Sequence, residues 1–168
     1  MDAIECIRTR RSKRQLSRKA DFCDVKKEII ENIIDCGRLA PTANNIQPCE
    51  FIVVTDIKKL QTISEIVDYN GSFVKDAAFC IIIFAKNVKY YLEDGCAATE
   101  NILLAVNNFG LSTCWVAGDK KKYTENIMRE LNVPCEYKLI SIIPVGYSAE
   151  KPNIQKRKLN EVLHWEKF

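Results

Sequence analysis

Seven consecutive apolar residues, Phe79 to Ala85 (FCIIIFA), leave this chain little freedom in how it folds. A run of β-branched and aromatic residues without polar alternation reads as a central strand covered on both faces. Amphipathic patterns elsewhere supply the cover. Ile29, Ile30, Ile33 and Ile34 repeat at helical spacing between Asp24, a good N-cap, and Gly37, a good stop. Another predicted helix, capped by Asp56, carries Ile57, Leu60, Ile63 and Ile66, and a long one runs from about Leu92 to Asn108 with Gly110 as its stop. Asp119 is expected to cap a further helix through Leu131, which Pro134 ends.

Glu50 to Thr55, Ser112 to Val116 and Leu139 to Val145 read as strands, and Pro144 inside the last argues for an edge position or a distortion. A first helix carrying Ile4 and Ile7 gives way to a basic segment. Helices and strands are interspersed without an internal repeat or a low-complexity linker, so residues 1 to 168 read as one domain.

The function classes narrow from composition. The 47% apolar and 28% charged fractions are ordinary for a globular protein, and no apolar run reaches the roughly 18 residues of a membrane span. Met1-Asp2-Ala3-Ile4-Glu5 lacks the basic and apolar regions of a secretory signal, so a cytoplasmic location is expected. A net charge of +3 is too small to imply nucleic acid by itself. Eight cysteines, at positions 6, 23, 36, 49, 80, 96, 114 and 135, form no C-x-x-C pair and read as reduced, buried hydrophobes. With a single histidine, His164, neither a zinc nor an iron–sulfur site is expected, and no Ser-His-Asp, Cys-His or paired-carboxylate arrangement is evident.

Two segments carry the chemistry. Five cations lie among residues 8 to 14, with Ser12 between Arg11 and Lys13. Such a cluster suits a solvated helix end, a nucleic-acid patch or a phosphate cradle; Arg10 and Arg14, four apart, would share a helix face and make a compact anion site with the hydroxyl. Downstream, Ala40-Pro41-Thr42-Ala43-Asn44-Asn45-Ile46-Gln47-Pro48 places two prolines around uncharged donors and acceptors. That is either an ordinary helix-to-strand loop or a rigid turn able to read the edge of a heterocycle. The tail from Glu150 to Phe168 mixes Lys156, Arg157 and Lys158 with Leu159, Val162, Leu163 and Trp165, which suits an arm embracing a partner subunit or a terminal helix docked on its own domain.

Taken in order, Arg-Arg-Ser-x-Arg, Ala-Pro-Thr-Ala-x-Asn-x-Gln-Pro, Asp94-Gly95-x-Ala97, Gly110-Leu111-x-Thr113-Cys114-Trp115-Val116-x-Gly118 and Val145-Gly146-Tyr147 resemble the FMN-dependent nitroreductase family over nearly the whole chain. The resemblance implies an α+β fold with a mixed, mostly antiparallel central sheet flanked by helices, in an interlocked homodimer with FMN at the subunit interface. It assigns Arg10, Arg11 and Ser12 to the phosphate and ribityl chain, and Arg14 to the flavin's pyrimidine edge, where a cation raises the potential. Pro41, Thr42, Ala43, Asn44 and Gln47 match the turn that reaches the flavin from the partner, and Asn70 a flavin-edge amide. Val116, Ala117 and Gly118 match the segment under the ring, with a backbone N–H facing N5 and a small residue permitting close approach. Arg157 matches a second phosphate ligand, with Lys156 the competing choice.

The implied activity is that of an NAD(P)H oxidoreductase passing hydride through flavin N5 to a nitroaromatic, quinone or similar small acceptor by a ping-pong route, without a catalytic side chain or a metal. No G-x-G-x-x-G fingerprint is present, so a nicotinamide donor would share the flavin face. Two departures bear on the pocket: Cys49 stands where the family often has Trp, and the segment between Ala85 and Asp94 is short, both implying a more open site. Cys114, beside Trp115, reads as a packing residue. The alternatives are a relative with other flavin chemistry (dehalogenation, enone reduction, flavin cleavage), a flavin-binding sensor or carrier without turnover, and a small nucleic-acid-binding domain.

Overall fold

In the computed structural model, which describes residues 1–18 and 25–168, the apolar run becomes the middle of an antiparallel sheet. In chain order the elements are α1 (Ala3–Thr9), α2 (Lys27–Arg38), β1 (Cys49–Val54), α3 (Ile57–Val67), β2 (Phe79–Lys86), α4 (Tyr91–Asn108), β3 (Ser112–Thr113), β4 (Val116–Ala117), α5 (Thr124–Glu130) and β5 (Tyr137–Gly146). The strand order is β1-β2-β5-β3, with β4 also pairing β5. All named pairings are antiparallel.

Strand periodicity divides β2 between two cores. Phe79, Ile81, Ile83 and Ala85 face α2 and α4, where Ile33, Ile102, Leu103 and Val106 meet them. Cys80, Ile82 and Phe84 face the opposite layer with Leu60 and Ile63 of α3 and Ile127 of α5. A strand apolar at every position thus has helices on both faces, and the architecture is an α+β sandwich of helices around one antiparallel sheet.

Several local expectations are corrected. The N-cap expectation for Asp24 falls outside the described residues, and α2 begins at Lys27. Gly37 does not stop α2; it is buried inside it because a Cβ there would stand 2.8 Å from the Ile102 side chain of α4. Gly110 does follow α4, at a left-handed φ of 72°. Asp56 caps α3 by accepting from the Lys59 N–H at 2.8 Å, whereas Ile57 points to solvent at 63% exposure and lies off the buried stripe. The expected strand 112–116 is two short ones, broken at Cys114 and Trp115. Asp119 does not cap α5, which starts at Thr124, and α5 ends ahead of Pro134, where Asn132 turns the chain with a φ of 53°.

Pro144 is not at an edge, since β5 pairs β2 on one side and β3 and β4 on the other. The Pro144 carbonyl accepts from the Thr113 hydroxyl at 2.7 Å. A strand residue's nitrogen and carbonyl point to the same side, so the missing N–H falls where β3, paired with Val145 and Gly146, has ended and β4, paired with Ser141 and Ile142, has not begun. No helix among the described residues is long and apolar enough to cross a membrane.

Ile82→Ala, at a fully buried site, should lower unfolding free energy by about 2–5 kcal/mol, and Ile57→Ala by less than about 0.5 kcal/mol, in urea titrations of the two variants. Equal losses would contradict the two-layer packing.

Candidate functional site

The basic segment is extended, not helical. α1 ends at Thr9, and Ser12 forms a parallel bridge with Thr113 at the end of β3, where the Lys13 N–H reaches the Thr113 carbonyl at 3.0 Å. Arg10 and Arg14 therefore share the border of the β3–β4 junction rather than a helix face. Arg10 Nε stands 3.6 Å from Glu100 Oε1 on α4. Glu150 Oε2 accepts the main-chain N–H groups of Arg14 and Gln15 at 2.6 and 2.7 Å, so the backbone is pinned while the Arg14 guanidinium takes no part in that contact. Arg11 is turned the other way: its Nη1 donates to the carbonyls of Arg8 and Arg10, both at 2.8 Å.

Cys114 sits against this segment. Burial pushes its thiol up, while Arg14, a hydrogen bond with Ser12 and Arg10 pull the opposite way without cancelling it. It remains a protonated packing residue beside a hydroxyl and two cations. That donor set, a serine hydroxyl flanked by guanidinium groups over the buried Cys114, can hold a dianion.

The turn from Pro41 to Pro48 leaves α2 and enters β1. Thr42 shapes it twice, its carbonyl accepting from the Asn45 N–H at 3.0 Å and its hydroxyl from the Gln47 N–H at 3.1 Å. Asn44, Asn45 and Gln47 take left-handed φ values of 53°, 55° and 55°, which Asn tolerates and Gln does not favour. The Ala43 N–H donates to Asp94 Oδ1 on α4 at 3.0 Å. Asn44, Asn45, Ile46 and Gln47 are exposed, so the turn presents amides to its surroundings.

Val116, Ala117 and Gly118 lie at the far end of the β3–β4 stretch. Gly118 is glycine for a reason within the sheet: a Cβ would stand 2.5 Å from Leu139 Cγ and 2.8 Å from the Ile140 backbone. Tyr123 donates its hydroxyl to the Ala117 carbonyl, and Tyr91 of α4 donates to Asp119 Oδ1 at 3.1 Å. Burial and Asp119 both push the Tyr91 hydroxyl up, so it stays a donor. Asn70 lies in the 3-10 turn Asp68–Asp76.

The structure thus gathers Arg10, Ser12, Arg14 and Thr113 at one place, and attaches the 41–48 turn and the loop after β4 to the same helix α4. It does not bring in Lys156 and Arg157: residues 153–168 are exposed, and among the described residues no hydrogen bond or ion pair joins this pair to the basic segment. A terminal helix docked on the body does not form; the tail holds one 3-10 turn, Leu159–Glu161. Trp165 is 74% exposed.

Cys49 shares a small cavity with Thr42 and Gln47 of the turn. It packs toward the α2–α4 layer and borders a cavity of about 120 Å³ with Gly37, Ala98 and Phe51, beneath the turn. Of the described cysteines, all free thiols, Cys6, Cys80 and Cys114 are buried, but Cys36 and Cys135 are exposed, against the expectation of uniform burial. The residues that sequence reasoning missed are carboxylates: Glu100, Glu150 and Asp94 as a partner of the turn. Only Asp94 carried a signal, in the Asp-Gly pair at the start of α4.

Comparison with known proteins follows the same lines. The Nitroreductase family model matches residues 7–70, and a model for a provisionally described TM nitroreductase matches residues 60–167. A candidate NADH dehydrogenase/NAD(P)H nitroreductase of Methanothermobacter thermautotrophicus is 34% identical over 174 residues, spanning 100% of this chain and 88% of the relative. An FMN-dependent nitroreductase from Clostridium difficile R20291 superposes with a TM-score of 0.87 at 30% identity, over 98% of this chain and 99% of that one. An iodotyrosine deiodinase of Nematostella vectensis is 26% identical over 190 residues, spanning 90% of this chain and 71% of the relative. The chain belongs to the nitroreductase family, whose members are oxidoreductases.

One consequence of the site's burial is measurable. Burial first, then the charges of Asp94 and Glu50, push the Cys49 thiol from 9.0 up to about 11. The folded state therefore holds a proton that the unfolded chain releases earlier, and the resulting stability is complete below pH 9 and lost as pH rises toward about 11. Cys80, pushed up further by full burial, adds to the same decline. In urea unfolding across that window, Cys49→Ala should show a shallower fall in stability than the parent; parallel slopes would refute the protonation state.

Proposed function

We propose that the protein is an FMN-dependent NAD(P)H oxidoreductase acting on a nitroaromatic, quinone or similar small acceptor, and that it works as a homodimer with FMN at the subunit interface. The observation carrying this reading is the extended Arg10–Arg14 segment bridged to β3, with a serine hydroxyl and two guanidinium groups around the buried Cys114. FMN, when bound, supplies hydride exchange at N5, so that the nicotinamide and the acceptor use one face in turn.

The chain's own part is to bind and orient. Arg10, Ser12 and Arg14 hold the phosphate and the pyrimidine side, with Arg11 bracing the backbone through its carbonyl contacts. Pro41, Thr42, Ala43, Asn44 and Gln47 form the turn at the ring edge, with the Asn44 and Gln47 side-chain amides and the Thr42 hydroxyl as its polar groups, and Asn70 a further amide. Val116, Ala117 and Gly118 lie under the ring, held by Tyr123 and by the packing of Gly118 on β5. Lys156 or Arg157 completes the phosphate site when a partner subunit positions the tail.

Apolar exposure supports the dimer. Ile4, Ile7 and Leu39 are each more than half exposed, and Cys6, Leu39, Leu104 and Phe109 line an open groove of about 580 Å³ between α1, α2 and α4. The tail adds Leu159, Leu163 and Trp165, all exposed. A monomer that left these groups wet would carry an apolar surface without a use for it.

Anaerobic visible spectra before and after NADH or NADPH test the reading. Flavin bands that bleach with either nucleotide and return with a nitroaromatic or quinone support it. Bands that never bleach favour a sensor or carrier, and a protein colourless after reconstitution with FMN would sink it. Arg10→Ala should weaken FMN retention, on the order of ten-fold or more, for loss of a charge-assisted contact; unchanged occupancy would remove Arg10 from the phosphate site.

A further inference from the structure

We propose that Asp94 is a positioning residue for FMN, holding the Pro41–Pro48 turn in the conformation that meets the flavin, a role that rests on the FMN reading above. At its far end the turn is tied to β2, the Lys86 N–H donating to the Pro48 carbonyl at 2.9 Å, but its middle depends on another contact. Its internal hydrogen bonds, from Asn45, Ile46 and Gln47 back to Thr42 and Ala43, are all local, and three of its residues occupy left-handed φ values. Left-handed backbone is tolerated by Asn44 and Asn45 but disfavoured for Gln47, so this exposed segment gains from an outside contact that fixes it.

Among the described residues, one hydrogen bond ties positions 42 to 47 to another element: Ala43 N–H to Asp94 Oδ1, at 3.0 Å. The acceptor is itself buried. Asp94 is 5% exposed, in the first turn of α4, where the helix end favours a carboxylate. Its second oxygen is buried and, among the described residues, without a hydrogen-bond partner. A buried carboxylate with one oxygen unsatisfied is an unfavourable choice for packing alone, since an apolar residue would fill the space without the desolvation cost. What the carboxylate adds is a fixed, charge-assisted acceptor under a strained turn. Orientation set before binding then does not have to be bought from the binding energy of FMN.

The test is FMN affinity by flavin fluorescence quenching on apo-protein, for the parent, D94A, D94N and A43P. Asparagine keeps an acceptor oxygen in place. Proline at 43 deletes the donor N–H from the other side, and Thr42, already extended at φ −131° and ψ 148°, accepts a following proline. D94A should weaken FMN binding on the order of ten- to a hundred-fold, D94N should restore most of it, and A43P should reproduce the loss. Combined with A43P, D94A should weaken binding no further, because both remove one contact.

Wild-type affinity in D94A, or additive losses in the double variant, would overturn the role of Asp94 while leaving the FMN reading intact. A parent protein that binds no FMN would overturn both. Should D94A not fold, D94N and A43P decide the matter: tight binding by D94N with a loss in A43P supports the anchor, and parent-like binding by A43P refutes it.

Discussion

Two-sided burial of β2 is the constraint from which the rest of the molecule follows. Phe79 to Ala85 expose no polar side chain to satisfy water on either face, so the odd and even residues each demand a helical layer. α2 and α4 answer on one side, α3 and α5 on the other. The longest helix, α4, spans the sheet along β2 and β5, and the candidate functional segments sit at its margin. Glu100 meets Arg10, Asp94 meets the 41–48 turn, and Tyr91 meets the loop after β4. At about 1.5 Å of rise per residue, the stretch from Tyr91 to Glu100 is roughly 14 Å long.

Periodicity made the elements legible, and tertiary contact decided the points that periodicity got wrong. The stripes at 29–34 and 60–66, the apolar run at 79–85 and the glycine after α4 mark their elements from local sequence alone. Gly37 looks like a stop but answers to Ile102, 65 positions away in the chain and invisible to a local pattern. Pro144 looks like an edge residue but occupies a gap between two strands whose shortness no propensity foretells. Asp119 has the chemistry of a cap and instead accepts from Tyr91, 28 residues back.

The candidate site divides in the same way. Its basic run and its proline-bounded turn are clusters of like chemistry, and clusters are readable in one dimension. Their conformation is not: Arg10 and Arg14 at helical spacing turned out to lie on extended chain, because Ser12 pairs with Thr113 rather than continuing α1. The carboxylates that hold these segments are separated from their partners by 51 residues for Asp94 and 136 for Glu150. Single acidic residues at such distances have no local signature.

Those carboxylates share a property that matters for binding an anion. Glu150 and Asp94 accept from main-chain N–H groups, fixing backbone without engaging cationic side chains. Glu100 does touch a guanidinium, but at 3.6 Å and with a half-exposed carboxylate, which is a weak pair in water. A dianion meeting Arg10 in bidentate geometry forms the stronger contact. Had the acidic residues neutralised Arg10 and Arg14 closely, the segment would be a closed salt-bridge network with nothing to offer a ligand. Held by its backbone instead, it keeps its positive charge available, which is what the proposed phosphate site requires.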